Sequence, residues 1–244
     1  MGKIWDLDFQ ESRKKLLSSQ SNDTDFKIVS KKWMQLSVDN KYSYQFDWLG
    51  VPIIQMPGDL IIFQEIVYKT QPDLVIETGV ARGGSMIFWA SIQKLCGIPG
   101  KVLGVDIDIR EHARNAINSS NFKDAIYLLE GSSVEDKVVE QIKKIVSQHK
   151  RIMVILDSNH THNHVLSELE IYSKFVTKDC FLIVLDTIIE DLTLDTERPW
   201  GPGLNPKTAV KEFMSKNAED FNREKSYEQK SVLSVAPYGF WVKT

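Results

Sequence analysis

Leu74-Val75-Ile76-Glu77-Thr78-Gly79-Val80-Ala81-Arg82-Gly83-Gly84-Ser85 decides the fold. A short apolar run ends in an acid, passes into a glycine-rich turn and continues as an amphipathic segment. That order predicts a strand, a ligand-facing loop and a helix. Downstream, the apolar runs Val102–Val105, Ile126–Leu129, Ile152–Leu156 and Phe181–Leu185 repeat the theme. Each is too short for a buried helix. Between them Val134, Val138, Ile142 and Ile145 share one helical face, and so do Val165, Leu169, Tyr172 and Val176. Strands alternating with helices predict a doubly wound α/β fold with a parallel sheet covered on both faces.

Outward from this core, Asp59 is expected to cap a helix carrying Leu60, Phe63, Ile66 and Val67, which Pro72 ends. Residues 1–58 are polar with scattered aromatics and read as an extension, helical near its start, that packs on the core and ends at Pro57-Gly58. Residues 59–244 read as one domain. It includes a Pro/Gly-rich, lid-like loop at 190–206 with Trp200, then a helix bearing Val210, Phe213, Met214 and Phe221. Terminal strand structure is expected over Val232–Lys243.

The composition narrows the class. The chain has 244 residues, 42% hydrophobic and 26% charged, with a net charge of −3. That is ordinary globular composition and gives no general attraction to nucleic acid. Cys96 and Cys180 are far apart among apolar residues, which speaks against a disulfide framework or a cysteine zinc site. The start, Met1-Gly2-Lys3-Ile4-Trp5-Asp6, lacks the apolar run of a signal peptide, and Asp6 does not suit a myristoylation signal. No run is long enough for a membrane helix. A cytoplasmic protein without nucleic-acid or membrane partners is the expectation.

Ligands of such sheets bind beyond the carboxyl ends of the strands. The loop after the first strand is not G-x-G-x-x-G, because Ala81 stands at the second glycine position. It is not a phosphate loop either. Glu77 would repel a pyrophosphate but attract a sulfonium or an ammonium. This favours S-adenosylmethionine over NAD. Asp106 ends the second strand and can accept from ribose hydroxyls, or cap the helix near Arg110. Ser133, after the third strand, is expected as a helix N-cap with Asp136 three residues on.

Asp157 and Asp186 end the fourth and fifth strands, and they are expected to converge on a hard divalent cation such as Mg²⁺. His160 is the candidate base. His162 and His164 are expected at the surface or as caps. The histidines offer no His-x-carboxylate step, which argues against a non-haem iron site.

Five segments now stand in order: Glu77–Ser85, Val105–Arg110, Asp157–His162, Asp186–Glu190 and Arg198–Gly203. From about Trp48 onward the chain resembles the cephalosporin hydroxylase / rhamnosyl O-methyltransferase family. The resemblance implies a Rossmann-like class I methyltransferase sheet, mostly parallel with a C-terminal antiparallel strand. It implies a hydroxylated small-molecule acceptor, such as a sugar or natural product, and a homo-oligomer. By motif, Glu77, Gly79 and Ser85 would hold the methionine part of S-adenosylmethionine, Asp106 the ribose, and Ser133 would lie by the adenine. Asp157 and Asp186 would hold Mg²⁺, with Thr187 at the place of a third ligand, His160 or Asp157 would act on the acceptor, and Asp157 would also help to bind and orient the cofactor. Leu185 departs from the family, which often has an acid there. A nicotinamide oxidoreductase and a non-catalytic cofactor-binding homologue are the competing readings.

Overall fold

The computed structural model describes residues 6–193 and 197–244. Two helices, α1 (Leu7–Asn22) and α2 (Thr24–Asp39), come first. A short 3-10 turn over Tyr42–Gln45 leads to a small hairpin of β1 (Asp47–Trp48) and β2 (Val51–Pro52). The alternating part runs α3 (Pro57–Thr70), β3 (Leu74–Thr78), α4 (Gly84–Leu95), β4 (Lys101–Asp106), α5 (Glu111–Ser119), β5 (Ile126–Glu130), α6 (Asp136–Val146), β6 (Ile152–Leu156), α7 (His162–Tyr172) and β7 (Phe181–Val184). A 3-10 turn over Thr187–Asp191, then α8 (Pro206–Lys216), β8 (Phe221–Arg223), α9 (Lys225–Lys230) and β9 (Phe240–Lys243) complete it.

The large sheet has the order β5-β4-β3-β6-β7-β9-β8. β3 to β7 are mutually parallel, and β9 is antiparallel to both β7 and β8. This is the expected doubly wound sheet with an antiparallel C-terminal strand. Strand alternation divides the core in two. Val75, Met153, Ile155 and Ile183 face α3 and α4, while Leu74, Ile76, Val154 and Leu182 face α6, α7 and α8. Central strands buried on both sides are why the sequence reads as unbroken apolar runs there.

Several local expectations are corrected. The N-cap of α3 is Met56, with Pro57 at the first turn. Asp59 lies one turn in, fully buried, and accepts from Ser231 Oγ (2.8 Å) and Val235 N (2.9 Å). So Pro57-Gly58 open a helix of the core. α6 begins at Asp136 with Glu135 as its N-cap, leaving Ser133 outside it. α8 stops at Lys216, and Phe221 belongs to β8. α8 is started by a capping box between Asn205 and Thr208. Only Phe240–Lys243 of the expected terminal segment is strand. Both cysteines are free thiols. Among the described residues no helix is long and apolar enough to cross a membrane.

The hairpin segment is joined to α4. A Cβ on Gly84 would sit 2.3 Å from the carbonyl oxygen of Pro52, so only glycine lets the chains meet. Trp48 Nε1 donates to Ser91 Oγ at 2.9 Å nearby.

Candidate active site

The carboxyl ends of β3, β4, β6 and β7 meet at one rim of the sheet. Gly79, just past β3, has φ +95°, and a Cβ there would lie 2.1 Å from the carbonyl oxygen of Asp157. Asp106 ends β4. Its Oδ2 accepts from Val80 N (2.7 Å) and Ala81 N (3.3 Å), and its Oδ1 from Asp108 N (3.1 Å). Asp106 therefore braces the glycine loop and does not cap α5, whose N-cap is Arg110. The first turn of α4 has no side-chain cap, so its N–H groups remain free for an anionic group.

Glu77 is buried beneath this loop and accepts from the Trp89 indole N–H. Burial pushes its carboxyl up to about 7, against hydrogen bonds from Ser85 and Trp89 that favour the charged form. Glu77 and Ser85 are thus brought together.

Asp157, His160 and Asp186 converge, with one potential ligand atom from each within 4.8 Å of the others. The cause is adjacency: β6 and β7 are parallel neighbours, and His160 follows β6 by a few residues. Asp186 adopts the left-handed region (φ +53°), which turns its carboxylate toward His160, with Oδ2 3.2 Å from Nε2. Burial, then the charges of Asp186, Glu77 and Glu168, hold the Asp157 carboxyl well above its ordinary range. Among the described residues no lysine or arginine pairs with Asp157 or Asp186. A half-buried pair of carboxyl groups with an imidazole beside it suits a hard divalent cation. Thr187 does not join this group. It is fully buried and its hydroxyl donates to Pro237 O at 2.6 Å, because the 3-10 turn packs on the 235–237 segment.

Ser133 is buried with Oγ 3.1 Å from His164 Nε2, and its carbonyl accepts from the Tyr172 hydroxyl (2.9 Å). His164 also approaches Glu168 Oε1 (3.5 Å), which accepts from Ser158 Oγ at 2.7 Å. His162 lies against Thr208 Oγ1 (2.8 Å) and Glu212 Oε2 (3.2 Å) of α8. Neither histidine is a surface or capping group, since α8 and the Ser133 loop cover the start of α7. Neither reaches the Asp157 cluster.

Of the lid-like loop 190–206, residues 194–196 lie outside the described residues. Trp200 stands edge-on to His160 (5.1 Å, 87°), with the Arg198 guanidinium 5.2 Å from its ring. Glu190 anchors the loop by accepting from Gly203 N (2.7 Å) and from Asn205 Nδ2.

A family model described as rhamnosyl O-methyltransferase/CmcI matches residues 40–244. The chain belongs to this family. With it comes the enzyme class expected from the sequence, an S-adenosylmethionine-dependent O-methyltransferase, and the nicotinamide reading is set aside. The rhamnosyl O-methyltransferase of Mycobacterium tuberculosis (strain ATCC 25618 / H37Rv) is 30% identical over 197 residues, covering 80% of this chain and 77% of the relative. That of Mycobacterium leprae (strain TN) is 28% identical over 199 residues, covering 80% and 82%. The fold is that of a CmcI structure with Mg and SAM (TM-score 0.62, 15% identity, covering 82% of this chain and 77% of that one).

As a rhamnosyl O-methyltransferase/CmcI family member, the chain adds residues that sequence reasoning missed. Gln55, between the hairpin and α3, donates from Nε2 to Asp157 Oδ2 at 3.0 Å. Asp59 ties the 231–235 segment to α3, and burial pushes its carboxyl up to about 6. Glu168 supports Ser158 from α7. The one signal in the sequence was polarity inside apolar patterns, as at Asp59 and Glu168.

Proposed function

We propose that this chain methylates a hydroxyl of a sugar or of a sugar-bearing natural product, with a divalent cation such as Mg²⁺ at Asp157 and Asp186. The observation that carries this reading is the meeting of Asp157, His160 and Asp186 beside the Gly79 loop. Rhamnosyl O-methyltransferases among the relatives support the sugar, and the CmcI structure with Mg and SAM supports the cation.

S-adenosylmethionine supplies an electrophilic methyl on sulfur, and its transfer to the acceptor oxygen leaves S-adenosylhomocysteine and one proton. The Gly79 loop and the free N–H groups of α4 receive the methionine carboxylate. Glu77 and Ser85 would hold its ammonium. Asp106 has acceptor capacity left beyond its three backbone bonds, and it takes a ribose hydroxyl. Ile107 is 74% exposed although apolar, and it would offer a face to the adenine.

A cation held by Asp157 and Asp186 would lower the acceptor hydroxyl's pKa and fix its oxygen. His160, oriented by Asp186, takes the proton. Trp200 stands edge-on to His160 and shields the acceptor side from water. Alignment of acceptor and methyl contributes several kcal/mol, up to roughly 7–11. A homo-oligomer belongs to the same proposal. Leu7, Phe9, Leu16, Ile28 and Val29, exposed on α1 and α2, support it.

Calorimetry with S-adenosylmethionine, followed by labelled methyl transfer to rhamnosides and other hydroxylated acceptors with and without Mg²⁺, tests the reading. Cofactor binding without turnover on any of them would instead support a non-catalytic homologue.

A further inference from the structure

Gln55 presents an unexplained polar atom. Its Nε2 donates to Asp157 Oδ2 at 3.0 Å, yet its Oε1 is buried without a hydrogen-bond partner among the described residues. Buried amide oxygens without partners are rare and costly. The side chain is held firmly. It is 5% exposed and flanked by Ile53 and Met56, both buried. It belongs to neither the glycine loop nor any strand of the large sheet, so it reaches Asp157 from a separate segment of the chain, between the hairpin and α3.

We infer that Gln55 is an oxygen ligand of the divalent cation at Asp157 and Asp186. The inference rests on the cation reading above. Leu185 can donate nothing, and the Thr187 hydroxyl is bound to Pro237 O, which leaves the site short of oxygen donors. A carboxamide oxygen is a hard, neutral donor suited to Mg²⁺.

The distance fits. Mg²⁺ holds oxygens at about 2.0–2.1 Å in an octahedron, so neighbouring ligand atoms sit about 3 Å apart. The amide group and Asp157 Oδ2 already have that separation. A half-turn of the terminal amide exchanges its nitrogen for its oxygen with no other movement. Without a cation the N–H side faces the carboxylate. With one, the oxygen side faces the metal. The unpartnered Oε1 is the cost of carrying a group that serves both states.

The test titrates Mn²⁺ alone into the full chain, followed by calorimetry and electron paramagnetic resonance. Wild type, Gln55→Met, Gln55→Glu and Asp186→Asn are compared. Met and Glu keep the volume, so the fold is retained. We expect Gln55→Met to bind roughly tenfold or more weakly, and Gln55→Glu at least as tightly as wild type. Equal binding by wild type and Gln55→Met, with loss in Asp186→Asn, would overturn the role of Gln55 and leave the cation site standing. Weakening by Gln55→Glu as large as by Gln55→Met would also overturn it, because Gln55 would then serve only as an N–H donor to Asp157. No binding by wild type would overturn the cation reading and this inference with it.

Discussion

Gly79 and Asp157 touch through their backbones: a Cβ on Gly79 would stand 2.1 Å from the Asp157 carbonyl oxygen. The glycine loop after β3 and the end of β6 are therefore one mechanical unit. Gly79→Ala must push them apart, and its φ of +95° adds strain. We expect a loss of about 2 kcal/mol or more in unfolding free energy and weaker S-adenosylmethionine binding. Urea unfolding and calorimetry on the same variant check both.

His160→Asn keeps the size of the side chain but removes the basic imidazole. A fall in kcat of roughly 10²–10⁴-fold is expected, with the acceptor KM nearly unchanged. Raising the assay pH should restore part of the rate, because hydroxide then replaces the lost base. An unchanged kcat would remove His160 from proton transfer.

The buried acids Asp59 and Glu77 carry pKa values raised to about 6 and about 7, from 3.8 and 4.5. The folded state thus holds their protons more tightly than the unfolded chain. Their contribution is fully present below the unfolded values. It is lost as pH rises through the folded ones. Each amounts to about 3 kcal/mol at about 1.4 kcal/mol per unit. Between about pH 3 and pH 8 wild type should lose that much stability relative to Asp59→Asn, and likewise relative to Glu77→Gln. Parallel urea curves at the two pH values would contradict this.

Thr187→Val should leave cation affinity within about twofold while lowering stability by about 1 kcal/mol, the worth of the bond to Pro237. Chelation of metal from wild type should abolish most turnover. A large affinity loss in Thr187→Val would return that residue to the ligand set.

Trp200→Ala should raise the acceptor KM severalfold and leave S-adenosylmethionine affinity unchanged, since the ring stands edge-on to His160. Titration of the variant with cofactor, beside acceptor kinetics, separates the two effects.

The sheet was legible because β3, β6 and β7 are buried on both faces, so Leu74–Ile76, Ile152–Leu156 and Phe181–Val184 show as plain apolar runs. Asp157 and Asp186 were legible because the strand order forces their meeting. Gln55 was not, since nothing near it in the chain signals a contact with Asp157 across 102 residues. Asp59 looked like a cap because an acid near a helix start usually is one. Its donors, Ser231 and Val235, lie far downstream. Ser133 likewise read as an N-cap, but Glu135 caps α6 and the Ser133 hydroxyl lies 3.1 Å from His164 Nε2. β8 and α9 are three and six residues long, too short for any periodicity to show.

The docking of the hairpin segment has a consequence for synthesis. Pro52 and Gln55 leave the ribosome long before their partners, and Asp157 follows Gln55 by 102 residues. At about 5–20 residues per second the nascent segment waits about 5–20 s for that partner. α1, α2 and the hairpin meanwhile have only part of the surface they finally cover, with Phe9, Ile28 and Val29 uncovered even in the finished chain. Vectorial growth thus makes the Gln55–Asp157 contact a late event, and the early chain is the stage at which a chaperone has most to bind.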